Sequence, residues 1–307
     1  MILLYHLIFP DNFKLNNNDA SRLIHLNAFI SQLKWLKNHY RILSLEEYVS
    51  RNKFLGKNSE KSVAITFDDG YRKTFDLVNH FLLSEKIPAT FFIPTNHLNS
   101  EELYWFAYFN GLCFGQEYNR FFIDGKEFSL ETPKLRRKSR DLLSKLARES
   151  GDAIEFYKSI AKYYPLSDRD KENYEGMTIE QIAGASKNDI ISLGGHTHHH
   201  PFLDHLPFQA QFEEMKKNKK ILEEISGHSI QFFAYTGGYY NKLSIDAVKK
   251  SGFKAAFAIN PKNLVNEILF EIPRIGIYSP SILKFKLKLM GFTKWIDRIK
   301  KFSINNR

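Results

Sequence analysis

"VAITFDDGY" occupies residues 63–71. A strand-like run, Val63 to Phe67, delivers two adjacent carboxylates, Asp68 and Asp69, straight into Gly70. The run is continuous rather than alternating, as in a strand buried on both faces. Asp-Gly is well suited to the turn that ends such a strand. A turn alone does not explain why two acids stand side by side, so the rest of the chain has to be weighed.

Similar apolar runs recur at 2–6 (ILLYH), 89–93 (ATFFI), 189–195 (DIISLGG), 231–236 (QFFAYT), 254–259 (KAAFAI) and 271–277 (EIPRIGI). Between several of them lie helical patterns, clearest at 28–40, 71–86, 207–226 and 243–252, the last ending at Gly252 where a C-terminal cap belongs. Strand–helix alternation over this length implies an α/β fold with a parallel sheet or barrel. Seven candidate strands favour a parallel (β/α)7-type barrel. The rhythm breaks between His97 and Asn188, where only "RFFIDGKEF" (120–128) is weakly strand-like and helical segments lie around 134–149 and 152–163. We expect a helical insertion, about 97–188, between the third and fourth strands of a barrel covering 1–280, followed by a tail, 281–307.

The composition, 307 residues with 43% hydrophobic and 25% charged, is that of an ordinary globular chain. Cys113 is the one cysteine, so no intrachain disulfide can form and nothing points to an oxidising compartment. The opening "MILLYHLIFPDN" lacks a basic region, and its apolar run is too short for a signal peptide or membrane span, so we expect a cytoplasmic protein. Of the net charge of +10, the tail holds +7, with eight basic residues against Asp297. The nearly balanced body argues against a general nucleic-acid surface. In the tail, Phe292, Trp295, Ile296, Ile299 and Phe302 recur at helical spacing among cations. Such a helix either lies on the anionic inner face of a membrane or packs its aromatic stripe on the body.

"LGGHTHHHPFL" (193–203) carries four histidines in five residues, and imidazole is the commonest protein metal ligand. Pro201 disfavours a helix through His196 and His200, so the cluster is expected on the loop after a strand. In a parallel barrel the strand ends gather on one face, where active sites form. Asp68-Asp69 and His196…His200 can therefore converge. One carboxylate and two imidazoles suit Zn²⁺ or another divalent ion, which leaves the other carboxylate free to act as general base.

"TFDDGY" with "HTHHHP", read as His-Thr-x-x-His-Pro, resembles the first two motifs of the polysaccharide deacetylases (the NodB-homology, or carbohydrate esterase 4, family). "FAYTGGYYN" (233–241), "MTIEQI" (177–182), "LLYH" and "IPRIGI" are also similar to stretches of that family, so the likeness spans about residues 1–280. The resemblance implies a distorted barrel and metal-dependent hydrolysis of an N-acyl group, usually acetyl, from a sugar. It assigns Asp68 as base, Asp69, His196 and His200 as ligands of a divalent ion (Zn²⁺ first, with Co²⁺, Ni²⁺ or Mn²⁺ as alternatives), and Thr197 as the residue that orients the histidine loop. His198 and His199 have no family counterpart and are read as bystanders. Backbone amides near Gly237 and Gly238 would hold the oxyanion, with Tyr235 of the same stretch toward the substrate.

The chain departs from the pattern at three points. Thr236 stands where the family usually has proline, and Ala234 where many members have the arginine that orients the base; Arg274 is the candidate substitute. The usual C-terminal histidine motif that supplies the general acid is missing, and His6 is the candidate replacement. Tyr104, Trp105 and Tyr108 either stack on sugar rings or pack the inserted helices. We therefore expect a hydrolase of non-peptide C–N bonds that deacylates an amino sugar, lipid- or nucleotide-linked, in envelope-glycan synthesis. The rivals are an inactive glycan-binding module of the same fold and a hydrolase of another C–N bond.

Overall fold

In a computed structural model that describes residues 1–13, 23–54, 61–100, 102–265 and 267–291, the expected apolar runs form one parallel sheet. Its main strands are β1 (Ile2–Tyr5), β2 (Ser62–Phe67), β3 (Ala89–Ile93), β4 (Ile191–Gly195), β5 (Phe232–Ala234), β6 (Ala255–Ala258), β7 (Ile272–Pro273) and β8 (Ile275–Gly276), and a ninth, Arg41–Ile42, pairs parallel with the start of β2 off this path. Their order is β7-β6-β5-β4-β3-β2-β1-β8, and every pairing is parallel. Only Arg274 separates β7 from β8, so one stretch of chain borders β6 on one side and β1 on the other. That stretch nearly closes the sheet as a barrel. Hydrogen bonds from the Arg274 N–H to the Ala258 carbonyl (2.9 Å) and from the Ile277 N–H to the Leu4 carbonyl (2.8 Å) complete the seam.

Side-chain parity then decides what faces what. Val63, Ile65 and Phe67 join Leu3, Tyr5 and Phe91 in the layer between strands and helices. Ala64 instead joins Ile2, Phe92, Phe232, Ala234, Ala255 and Phe257 in the barrel lumen. Helix Leu45–Phe54, which the sequence did not signal, closes the lumen from below with Leu45 and Val49. The inward rows continue upward past the strand ends: Ile2 and Leu4 lead to His6, Ala64 and Thr66 to Asp68, Ile272 to Arg274. β4 ends in Gly194-Gly195 because there is no room for side chains. A Cβ on Gly194 would stand 2.3 Å from the Phe92 ring, and one on Gly195 2.8 Å from Phe253.

The expected helices appear as Leu26–His39, Arg72–Ser84, Phe208–Ser226 and Lys242–Lys250. Between β3 and β4 the chain forms helices Trp105–Phe114, Pro133–Glu149, Ala153–Ala161, Asp168–Glu172 and Ile179–Ala185, most of them around a second apolar core. "RFFIDGKEF" is a hairpin, Arg120–Ile123 paired antiparallel with Lys126–Ser129, rather than one strand. Its two-residue turn, Asp124-Gly125, has φ of 48° and 75°, the left-handed pair that Asp-Gly favours. In the tail, helix Ile282–Leu289 buries Phe285 and Leu289, with Phe285 edge-on to Trp35. The aromatic stripe from Phe292 to Phe302 lies outside the described residues. No described helix is long and apolar enough to cross a membrane.

Candidate active site

Where β2 ends, the Asp68 N–H still donates to the Tyr5 carbonyl (3.0 Å), which keeps Asp68 in the inward row. Adjacent strand residues normally face opposite ways. Here Asp69 (φ 71°) and Gly70 (φ 57°) turn left-handed, and both carboxylates reach one cleft. Aspartate tolerates that conformation better than most residues. Gly70 is required for a second reason, since a Cβ would stand 2.9 Å from Ile93. Among the described residues seven non-glycines have positive φ, and Asp69, Thr197 and His200 are three of them, so backbone strain concentrates at this cleft.

Arg274 grips Asp68 in a two-pronged fork, with Nη1 to Oδ1 at 2.7 Å and Nη2 to Oδ2 at 2.6 Å. The Arg274 side chain is fully buried and that of Asp68 is 3% exposed. A charged fork of this kind fixes the plane of the carboxylate. Nη1 also reaches Thr66 Oγ1 at 3.3 Å, and the guanidinium lies 5.2 Å over the Phe92 ring in the lumen.

The histidines arrive from β4. His196 Nδ1 lies 2.8 Å from the Ala234 carbonyl and donates to it, which leaves Nε2 facing Asp69 Oδ1 at 3.4 Å. His200 Nε2 stands 3.5 Å from the same oxygen. The Thr197 hydroxyl bonds the His196 carbonyl (2.5 Å) and accepts the His200 N–H (3.0 Å), closing the loop between the two imidazoles. Burial alone would raise the Asp69 carboxyl, but hydrogen bonds from both imidazoles overcome it and hold the group well below the usual carboxylate range. Burial opposes protonation of His196 as well, yet the Asp68 and Asp69 charges prevail and raise it, whereas burial lowers His200.

One ligand atom each from Asp69, His196 and His200 lies within 4.8 Å of the others, and all three residues are buried. Two ligands bound at 2.0–2.1 Å in tetrahedral geometry stand about 3.3 Å apart, which the 3.4 and 3.5 Å separations match closely. The donor set therefore fits a divalent ion with positions left open. His198 and His199 lie outside that set and have other work. His198 Nδ1 bonds Thr95 Oγ1 (2.9 Å), and Glu214 accepts both N–H groups and the His199 ring at 2.5 Å, which pins the loop to helix Phe208–Ser226.

The cleft measures about 590 Å³, and His6, Asp68, Asp69, His196, His200 and Gly237 line it. His6 sits at the end of the β1 row, its ring 6.1 Å from that of Tyr278. Of the third stretch, Gly237 (φ 57°) and Tyr239 border the cleft. Gly238 is not in its wall. Tyr235 is buried against Tyr240, with its N–H on the Phe257 carbonyl and its hydroxyl on the Phe270 carbonyl. Thr236 uses its hydroxyl to tie this turn to the Pro201 carbonyl (2.8 Å), a link that proline could not make.

Sequence reasoning missed several lining residues: Phe106, Arg148, Tyr239 and Tyr278. Trp105 also lines the cleft. It packs, as one reading of the aromatic segment had it, but its Nε1–H also donates to the His200 carbonyl (2.9 Å). Phe106 lies 4.1 Å from the His200 ring. The density of aromatics in "LYWFAYF" was the available signal.

A model of the polysaccharide deacetylase family matches residues 55–256. A poly-beta-1,6-N-acetyl-D-glucosamine N-deacetylase of Staphylococcus aureus is 25% identical over 253 residues, 82% of this chain and 66% of that protein. The Staphylococcus epidermidis protein of the same name is 28% identical over 54% of this chain and 58% of its own length. The chain thus spans somewhat under two thirds of these relatives. Among solved structures, IcaB from Ammonifex degensii superposes with a TM-score of 0.58 at 17% identity, covering 93% of both chains. Streptococcus pyogenes deacetylase PplD in complex with acetate gives 0.56 at 20%, covering 92% of this chain and 95% of that one. At these identities the likeness to the solved structures is one of fold.

Proposed function

The chain belongs to the polysaccharide deacetylase family, and from that membership we propose that it hydrolyses the N-acyl amide, acetyl first, of an amino sugar in an envelope glycan or glycolipid. The observation that carries this reading is the Asp68–Arg274 fork set beside the Asp69–His196–His200 ligand set in one cleft.

Asp69, His196 and His200 would hold the divalent ion, Zn²⁺ first. Bound there, it supplies Lewis acidity to the attacking water and the amide carbonyl. Asp68, oriented by the Arg274 fork, takes the proton from the water as its oxygen bonds the carbonyl carbon. The Gly237 N–H, at the cleft wall, donates to the oxygen on which charge develops. His6 gives a proton to the nitrogen as the C–N bond breaks, and a carboxylate and an amine result. Thr197 holds the histidine loop in shape throughout.

Thr236 no longer favours an inactive glycan-binding module, because its hydroxyl restrains the turn. We also propose that the enzyme works in the cytoplasm and that the basic stretch 281–307 holds it to the anionic inner face of the membrane. Unaltered partition onto anionic vesicles after its deletion would contradict that. The reaction itself is tested by supplying Zn²⁺ and N-acetylglucosamine oligosaccharides and counting acetate. Release that stops on chelation and returns with metal is expected. No release from any N-acyl amino sugar by the metal-loaded protein would count against the reading.

A further inference from the structure

Helix Pro133–Glu149 carries seven basic residues against two acidic ones, a charge that the near balance of the body conceals. Arg140, Ser144 and Arg148, spaced by four, share one face with Lys145, and that face forms a wall of the cleft. At 1.5 Å per residue, Arg140 and Arg148 are about 12 Å apart along the axis. Arg148 reaches toward the histidine loop: its Nη2 donates to Asp204 Oδ2 (2.9 Å), and its guanidinium lies 4.4 Å over Tyr239. Its Nη1 is buried and has no protein partner among the described residues, and the same holds for Arg140 Nε. Asp141 is the one acid lining that wall, and it pairs with Arg140 at 2.7 Å. The cleft is therefore bipolar, with carboxylates and imidazoles at the barrel mouth and cations on the helix facing them.

A neutral N-acyl sugar has no use for three cations. A polymer being deacylated would gain ammonium groups that this wall repels. We propose that the substrate is a phosphorylated N-acyl amino sugar whose phosphate rests against Arg140, Lys145 and Arg148 while its amide meets Asp68. This specificity rests on the deacylase reading of the same cleft. Arginine and lysine cations bind phosphate oxygens through charge-assisted hydrogen bonds, and Arg140, Lys145 and Arg148 all line the cleft.

The test compares kcat/KM for acetate release from a prenyl-diphosphate-linked N-acetylglucosamine in micelles, from UDP-N-acetylglucosamine, and from neutral tri-N-acetylchitotriose. We expect the better phosphorylated substrate to exceed the neutral one by about tenfold or more at low salt, with the advantage shrinking as salt screens the wall. Which of the two leads tells a lipid from a nucleotide carrier. In Lys145→Gln/Arg148→Gln the ratio of phosphorylated to neutral should fall about tenfold, the loss of roughly one charge-assisted contact. Lys145, 67% exposed, can be replaced alone without disturbing packing, and Lys145→Gln should lower the ratio by about threefold. A neutral substrate that is equal or better, or a ratio unchanged in both variants, would overturn the proposal. If no sugar releases acetate, the deacylase reading fails, and calorimetry on Asp68→Asn still decides the anion site. Binding of UDP-N-acetylglucosamine or the prenyl diphosphate weakened by the same substitutions supports the site, whereas no binding, or binding indifferent to them, removes it.

Discussion

Arg274 is the single side chain that fixes how the Asp68 carboxylate stands in the cleft. Truncating one partner of a buried, hydrogen-bonded ion pair leaves an uncompensated charge and typically costs about 3–5 kcal/mol. Arg274→Ala should therefore lose stability of that order in urea unfolding, together with about a hundredfold in kcat. Arg274→Lys keeps the charge but not the fork, and should fall between the two. An Arg274→Ala protein as stable and active as wild type would show the pair to be incidental. Gly237 is the other exacting position, since its φ of 57° suits glycine and a Cβ would stand 2.9 Å from the Tyr239 ring. Gly237→Ala should lose about tenfold in kcat by misaiming the N–H, at unchanged metal content. Unchanged kcat would remove Gly237 from the oxyanion site.

Three separate elements hold the histidine loop in shape. β4 delivers it. Helix Phe208–Ser226 anchors it through Asn218 on the His196 N–H and Glu214 on the N–H groups of His198 and His199. Helix Trp105–Phe114 closes it from the side through the Trp105 indole. Groups that orient metal ligands are commonly worth about 10–100-fold in affinity. Trp105→Phe keeps the ring and removes the donor, so Zn²⁺ affinity in a chelator competition should fall about tenfold. Affinity equal to wild type would make the indole a packing residue only. "HTHHHP" pointed to His196 and His200 as candidate ligands, but nothing local showed that Glu214, fourteen positions beyond His200, or Trp105, ninety-five before it, would hold their loop.

On the scale of the whole molecule, the barrel was legible because buried parallel strands leave unbroken apolar runs, and all seven runs became strands. Parity was legible too: counting by twos from Ala64 leads to Asp68, and from Ile2 to His6. The seam at Arg274 was hidden because β7 and β8 are two residues each, too short for any periodicity. Helix Leu45–Phe54 and the aromatic helix Trp105–Phe114 were hidden because their apolar residues serve a plug and a second core, not one stripe. Burial also gives the fold an acid limit. It lowers His97 and His198 to about 4, so both stay neutral in the native state while the unfolded chain protonates them near 6.5. Their contribution is complete above pH 6.5 and is lost as the pH falls toward 4. Melting temperature should drop across that window, less steeply in His97→Gln, and an identical slope would contradict the assignment. The central claim, that Asp68 is the base beside a metal held by Asp69, His196 and His200, is met most directly by measuring bound metal and acetate release together in wild type and Asp68→Asn. The account predicts stoichiometric metal in both and release lost in the variant by about 10²–10⁴-fold. Release surviving in Asp68→Asn, or no metal retained by wild type after divalent ions are supplied, would contradict it.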